Sequence, residues 1–361
     1  MPAISAQVAA ETAWPVIHIS VSFTLAFLVW ASFAPVVGMC IDRGWGAVVM
    51  VVGGITGTLT LFFLSTVTDR WVFSGALLVL GMCMAATLYD PCFALMMRRL
   101  GTRGVDATAT VTLIAGLATL LTFPLVMALS GVMEWREIIL VFAVLAIFAV
   151  LLLPKQDRNA VRFETGCVPS RFKIEKGPVL IAMGFGFVMM GHAILLFLLP
   201  MVLAQGGGAG KMGIFAIAIL GPAQIAGRLA WKAYAARYSP KLCSLVLFVV
   251  FCVPPVLLLL SGQSTGMVYV ALIVQGAGYG VHTIMRPILA QLYLPTEHLG
   301  RGLGGIATIG IVMMALGPAL GGLVWSKTGF VGLMSGVFAL NVFALCLIFV
   351  LFQLKPNGGV S

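Results

Sequence analysis

The sequence predicts an all-α membrane protein with eleven visible transmembrane helices. Hydrophobic residues make up 61% of the 361 residues and charged residues only 9%, more apolar surface than a soluble chain of this length can bury. Eleven apolar runs are long enough to cross about 30 Å of hydrocarbon. They are continuous rather than alternating, which favours helices over strands. The runs cover residues 15–38, 46–67, 72–97, 107–130, 136–153, 178–204, 212–235, 242–261, 266–293, 303–325 and 330–353.

The basic residues predict how the chain is oriented. Counted by alternate loops, one set of loops holds 16 Lys and Arg and the other holds 4. Loops rich in Lys and Arg face the cytoplasm. We therefore predict a multi-pass protein of the cell inner membrane with a cytoplasmic C-terminus and an external visible N-terminus. The net charge of +10 is spread over short clusters between apolar runs, so we predict no nucleic-acid partner.

A polar segment divides the predicted spans into two sets. Residues 154–177 carry a cluster of basic residues and show no apolar periodicity. We interpret them as a cytoplasmic linker. It joins an N-terminal helical bundle, residues 1–153 with five visible spans, to a C-terminal bundle, residues 178–361 with six spans.

A loop motif follows the first predicted span. Residues 38–46 read G-M-C-I-D-R-G-W-G. This segment resembles the loop between the second and third helices of the major facilitator superfamily, with matches at Gly38, Asp42 and Arg43 and without the closing basic pair. The resemblance covers essentially the whole chain. It implies a two-bundle helical fold around a central cavity and a conformational role for the loop.

The same resemblance fixes the numbering of the helices. Counted from the loop motif, the family's first helix is missing, so we hypothesise that this sequence begins inside a chain of twelve helices. The bundles resemble degraded repeats, because each has a basic loop after its second helix and a fourth helix interrupted by proline. Gly227 and Arg228 resemble the second-half version of the loop motif, and we predict a conformational role for them too.

Two charges stand inside predicted spans, at Asp90 before Pro91 and at Arg286 before Pro287. An unpaired charge in a span costs about 2.5–3.5 kcal/mol on insertion scales. By the resemblance these residues lie in the fourth and tenth helices, which approach each other on the cytoplasmic side of outward-facing family members. We predict that they pair to close a cytoplasmic gate. In the alternative, each charge is static, with Arg286 on backbone carbonyls and Asp90 on Arg98 or a helix end.

Polar side chains accompany these charges along the predicted pathway. His192 lies near the middle of the seventh helix in family counting, and His282 precedes Arg286 by one turn, on the same helix face. Histidines at these depths can bind a solute or relay protons, or they can be core residues bonded to a carbonyl of a neighbouring helix. The other predicted pathway residues are Tyr89, Gln275, Tyr279 and Thr283.

The resemblance implies a secondary active transporter that moves a small solute by alternating access. The chain has no phosphate-binding glycine-rich loop, so we expect coupling to a proton or a counter-solute, no cofactor and a monomer in the lipid bilayer. The aromatic and neutral polar groups suggest a small polar, ring-bearing metabolite, with uptake of a riboflavin-type vitamin as the working hypothesis. Efflux of a drug or a toxic metalloid is the alternative.

Other classes of protein fit the sequence less well. An intramembrane enzyme needs a nucleophile with a base, a metal cluster or grouped acids, and the 11 acidic residues are mostly single and in loops. We therefore predict that the chain is not an enzyme. A non-transporting sensor built on a transporter fold is a distant alternative.

Overall fold

The computed structural model describes residue 8, residues 11–14 and 16–100, scattered positions between 104 and 129, and residues 132–152, 175–205, 219–234, 237–261, 264–295 and 298–354. The regular elements within these residues are helical. Their bounds are α1 (Val16–Asp42), α2 (Gly46–Ser65), α3 (Arg70–Thr87), α4 (Tyr89–Leu100), α5 (Trp135–Leu151), α6 (Lys176–Gln205), α7 (Leu220–Tyr234), α8 (Pro240–Leu260), α9 (Thr265–Tyr293) and α10 (Leu299–Phe352).

Seven helical segments of the described chain are long and apolar enough to cross a membrane. The predicted all-α class is therefore confirmed, whereas the count of eleven spans is not confirmed and stays a prediction. Helix α5 has 17 residues and α7 has 15, which is short for a span. The predicted spans 107–130 and 212–235 lie largely or partly outside the described residues.

Two breaks divide long helical runs. Leu88 is extended, with φ −81° and ψ −162°, and separates α3 from α4. Pro91 follows in the first turn of α4, where proline is tolerated because that turn has no helical partner for its missing N–H. Gly329 has φ 67° and ψ −160° and interrupts α10. This break falls between the predicted spans 303–325 and 330–353.

The second predicted proline interruption is wrong. Helix α9 continues through Pro287 to Tyr293. A membrane helix can absorb a proline without ending when neighbouring groups satisfy the carbonyl that loses its N–H partner. Here that carbonyl belongs to Thr283, four residues before Pro287.

The chain folds as two compact units. The first comprises residues 1–101, 119–172 and 297–308, and the second comprises 102–118, 173–296 and 309–361. The predicted linker lies almost wholly outside the described residues, so the predicted bundle boundaries stay a prediction.

In the first unit, α1 packs on α3 and α2, and α2 also packs on α3 and α5. Its core is aromatic and aliphatic, with Phe73 and Trp135 fully buried near Leu64, Leu77 and Ile138. Many other apolar side chains of these helices are exposed, including Leu59 and Phe63. That pattern is expected of helices that face lipid.

In the second unit, α9 packs against α6, α7 and α8. Its core contains Leu195, Leu199, Leu258, Leu272 and Met334. The contact of α9 with α7 is close, because a Cβ on Gly280 would clash with the Gln224 carbonyl oxygen. Helix α9 therefore lies among three neighbours, and Gln275, His282 and Tyr293 are its buried polar side chains.

Candidate functional site

The loop motif begins where α1 ends. Gly44 has φ 80°, and its N–H bonds the Ile41 carbonyl at 3.0 Å while the Trp45 N–H bonds the Cys40 carbonyl at 2.9 Å. This pair of bonds is a Schellman motif, in which glycine supplies the left-handed residue after the helix. Arg43 lies in the same turn, and its N–H bonds the Met39 carbonyl at 3.1 Å.

The Asp42 carboxylate binds the start of α10. Its Oδ1 accepts the Gly300 N–H and its Oδ2 accepts the Arg301 N–H, both at 2.8 Å. The first N–H groups of a helix have no partner within the helix, and a negative charge is favourable there. Asp42 thus caps a helix that lies 258 residues away in the sequence.

Glycines allow the close approach around this cap. A Cβ on Gly38 would clash with the Gly300 carbonyl oxygen, and a Cβ on Gly304 would clash with the Ala34 carbonyl oxygen. Gly38 and Asp42 of the predicted group therefore join the start of α10 to α1 within the first unit, whereas the Arg43 N–H bonds within its own turn. Its predicted conformational role stays a prediction.

Asp90 and Tyr89 open helix α4. Asp90 lies in the first turn, where a carboxylate interacts favourably with the helix dipole. Tyr89 stacks on Phe93, with ring centroids 5.3 Å apart. The position of Asp90 at a helix end agrees with the static alternative. Its pairing with Arg286, which belongs to the second unit, stays a prediction.

The second unit brings together four of the predicted pathway residues as a polar stack, made of Gln275, His192, Tyr279 and His282. The Gln275 Nε2 lies 3.3 Å from the His192 Nδ1. The His192 and Tyr279 rings are nearly parallel, with centroids 3.7 Å apart, and the Tyr279 and His282 rings are also parallel at 5.2 Å. His192 comes from α6 and the other three come from α9.

The polar stack differs in exposure along its length. Gln275 and His282 are each 2% exposed and His192 is 6% exposed, whereas Tyr279 is only partly buried. The accessible edge of the stack is therefore the tyrosine ring. The described surroundings of the stack are aromatic, with the Phe185 and Phe251 rings 4.8 and 6.0 Å from the His282 ring.

His282 is held by a carbonyl of the neighbouring helix α6. Its Nε2 lies 3.2 Å from the Phe185 carbonyl oxygen. A carbonyl oxygen only accepts, so the Nε2 carries the hydrogen. This bond matches the alternative stated for the histidines, in which a core histidine is bonded to a neighbouring helix.

Arg286 and Thr283 continue the same face of α9. The Thr283 hydroxyl donates to the Gly280 carbonyl at 2.8 Å. The Arg286 Nη1 lies 3.9 Å from the Met189 sulfur of α6, and Arg286 is only partly buried. This face of α9 thus runs from a buried amide through two rings, Tyr279 and His282, to a partly exposed cation.

Gly227 and Arg228 join α7 to α9 inside the second unit. A Cβ on Gly227 would clash with the Ala277 carbonyl oxygen. Arg228 is 3% exposed, and its Nε donates to the Gly280 carbonyl at 3.4 Å. These contacts fix α7 against the helix that carries the polar stack.

Sequence reasoning missed two side chains that satisfy carbonyls freed by proline. Pro35 has no N–H for the Ala31 carbonyl, and the Thr308 hydroxyl donates to that oxygen at 2.7 Å. Pro255 likewise has no N–H for the Phe251 carbonyl, and the Asn341 Nδ2 donates to that oxygen at 2.7 Å. The sequence signal that could have found them is the proline itself. The carbonyl four residues before a proline in a membrane helix needs a donor from another helix.

Comparison with known proteins agrees with this architecture. The Major Facilitator Superfamily family model matches residues 1–241 and 181–359. Among the solved structures, 226 chains match. One is the human organic anion transporter MFSD10 (TETRAN), with a TM-score of 0.71 and 16% sequence identity, over 95% of this chain and 88% of that chain.

No curated protein matches the chain significantly in sequence. At 16% identity, the solved structure shows the fold alone. The family model covers nearly the whole chain, and the predicted resemblance is confirmed. The chain therefore belongs to the major facilitator superfamily of multi-pass membrane transporters.

Proposed function

We propose that this protein is a secondary active transporter that moves a small polar, ring-bearing metabolite by alternating access. The observation that carries the proposal is the polar stack on α6 and α9. Polar side chains inside membrane-spanning helices are costly unless they are hydrogen-bonded, and in transporters they often mark the substrate pathway. Substrate sites of secondary transporters lie near the middle of the bilayer.

The chemistry of the stack suggests the class of solute. The exposed edge of the Tyr279 ring can make an edge-to-face contact with an aromatic ligand, and the amide and imidazole groups offer hydrogen bonds. A riboflavin-type vitamin combines a flat ring with hydroxyl groups, so uptake of such a compound is our working proposal. MFSD10 is described as an organic anion transporter, and the partly buried Arg286 makes anionic ring compounds worth including in the test.

The proposed cycle needs a gate. We propose that Asp90 and Arg286 pair when the cytoplasmic side is closed, and that the Asp42 cap and the contacts of Gly227 and Arg228 stabilise particular arrangements of the helices. Coupling to a proton or a counter-solute, a monomeric state, an inner-membrane location and a cytoplasmic C-terminus belong to the same proposal.

Counterflow in proteoliposomes tests the proposal. Vesicles loaded with unlabelled riboflavin and diluted into labelled riboflavin should accumulate label transiently, whereas protein-free vesicles should not. The Tyr279→Leu variant should lose the signal because it loses the accessible ring, and Tyr279→Phe should keep most of it.

The choice of solutes separates the alternatives. Exchange of a drug or of arsenite, with none of riboflavin, would favour efflux as the physiological role. If no vitamin, organic anion, drug or metalloid exchanged, the transport proposal would be wrong.

A further inference from the structure

The amide of Gln275 has a vacant hydrogen-bonding position. One end of the amide faces the His192 Nδ1 at 3.3 Å. The other end, the buried Oε1, has no hydrogen-bond partner among the described residues. Gln275 is 2% exposed, so bulk water does not supply the missing partner in this conformation.

An unpartnered buried carbonyl is costly, at about 1–3 kcal/mol. Buried polar atoms in folded proteins nearly always have partners, and an exception calls for a specific explanation such as a ligand or a bound water. The contact with His192 uses one end of the amide and leaves the other end with no role in the packing of the described residues. The vacant position therefore points to a partner that comes from outside the chain.

The orientation of the amide does not change this conclusion. Amide oxygen and nitrogen are assigned from their hydrogen bonds. If the amide is turned over, its oxygen faces His192 and its nitrogen becomes the atom without a partner. A ligand edge that carries both an N–H and a C=O satisfies Gln275 in either orientation.

The rings beside Gln275 indicate the shape of the partner. Tyr279 follows Gln275 by one helical turn, lies parallel to His192 at 3.7 Å and is the partly exposed member of the stack. Its neighbours His192 and His282 hold it within 9° of parallel on both sides. A flat ligand can thus pack on the exposed edge of a ring whose orientation is already fixed, at little cost in side-chain entropy.

We propose that Gln275 selects planar ring compounds that contain a lactam, a ring N–H next to a ring C=O. The ligand ring packs on the exposed edge of Tyr279 and the lactam edge bonds the Gln275 amide. Flavins, pteridines, purinones and uracils share this edge, whereas simple sugars and hydrocarbon drugs lack it. This inference rests on the proposed transport function and narrows its substrate class.

Asn341 provides a matched comparison in the same unit. It is also a 2% exposed amide whose Oδ1 has no partner among the described residues. Its Nδ2, however, caps the Phe251 carbonyl that Pro255 leaves free, which gives the amide a structural purpose. Substitution of Asn341 should therefore disturb folding without changing ligand choice.

The test uses three nucleosides that differ by one methyl group. Uridine has the lactam N–H, 3-methyluridine replaces it with N–CH3, and 5-methyluridine carries the methyl on carbon and keeps the N–H. Riboflavin and 3-methylriboflavin form a second pair. Each compound is measured by thermal stabilisation of the purified protein and by competition in the counterflow assay.

For the wild-type protein, N-methylation should weaken binding by about tenfold or more, because a site built for an N–H rejects the analogue that lacks it. Methylation on carbon should have little effect. Gln275→Met should bind the N–H and N–CH3 forms alike, and Asn341→Leu should keep the wild-type preference.

Several results would overturn the inference. Equal stabilisation by uridine and 3-methyluridine, or a preference that survives in Gln275→Met, would mean that Gln275 holds only a water. Counterflow of other solutes without binding of any lactam would leave transport standing and refute the lactam class. Binding of lactams without counterflow would support the class and count against transport.

Discussion

The Thr308 hydroxyl donates a 2.7 Å hydrogen bond to the Ala31 carbonyl, which is the carbonyl that Pro35 deprives of its helical partner. The Gly304 carbonyl of its own helix lies 3.0 Å from the same hydroxyl and shares its single hydrogen with the nearer Ala31 carbonyl. The threonine in α10 therefore supplies the hydrogen bond that the proline in α1 removes, although 277 residues separate Thr308 from Ala31.

Thr308→Val should lower the free energy of unfolding by about 1 kcal/mol, a typical value for a polar contact between membrane helices. The loss should be smaller in a Pro35→Ala background, because alanine in place of the proline restores an N–H for the Ala31 carbonyl. Denaturation in mixed micelles measures the four members of this double-mutant cycle. Thr308→Ser, which keeps the hydroxyl, is the control, and an equal loss in both backgrounds would contradict the assignment.

Asp42→Ala should destabilise the protein by about 1–3 kcal/mol, because two N–H groups lose a charged acceptor. Asp42→Asn, which keeps one oxygen, should cost less. Thermal unfolding in detergent and the initial rate of counterflow should both fall.

Asp69 is the matched control for Asp42. It caps its own helix through the Trp71 and Val72 N–H groups at 2.8 and 3.0 Å. Asp69→Ala should cost about 1 kcal/mol as a local cap and leave the counterflow rate unchanged. If both substitutions slowed exchange equally, the long-range cap would have no special role in transport.

Gly227→Ala should destabilise the second unit by about 1–3 kcal/mol or more, because its methyl group meets the Ala277 carbonyl oxygen. Gly221 belongs to the same helix and has open space around its Cβ position. Gly221→Ala should therefore fold normally. The two variants are compared by their yield of monodisperse protein and their melting temperature. Equal values for Gly227→Ala and Gly221→Ala would show that α7 can shift away from α9.

The proposed gate predicts a charge-reversal result. Asp90→Asn and Arg286→Gln should each reduce exchange strongly, because each leaves the other charge without its partner in one state of the cycle. The exchanged pair, Asp90→Arg with Arg286→Asp, should recover part of the rate. Failure of the pair to recover, with normal folding, would favour the static positions of both charges.

Much of the fold could be predicted because lipid imposes simple rules. Long apolar runs predicted the membrane helices, and the break at Gly329 falls in the short polar stretch that the sequence placed between two spans. Pro91 and Pro287 show the limit of predicting helix breaks from sequence. Both were expected to interrupt a helix, yet only the first does so. Both prolines follow a charged residue, so the local sequence does not distinguish the two outcomes.

The polar stack was predicted as a set of residues but not as an arrangement. His282 and Arg286 were placed on one helix face by their spacing, and α9 confirms that spacing. The stacking of His192 on Tyr279 and the single vacant end of Gln275 depend on how α6 lies against α9. Thr308 and Asn341 were missed because their partners are distant in sequence.

The members of the polar stack all belong to the second unit, which has a consequence for kinetics. In a rocking cycle these contacts would travel as one piece, so a solute would meet the same ring and the same amide from either side of the membrane. Half-saturation values measured from opposite faces should then be nearly equal. Any inequality between them would have to originate outside the polar stack.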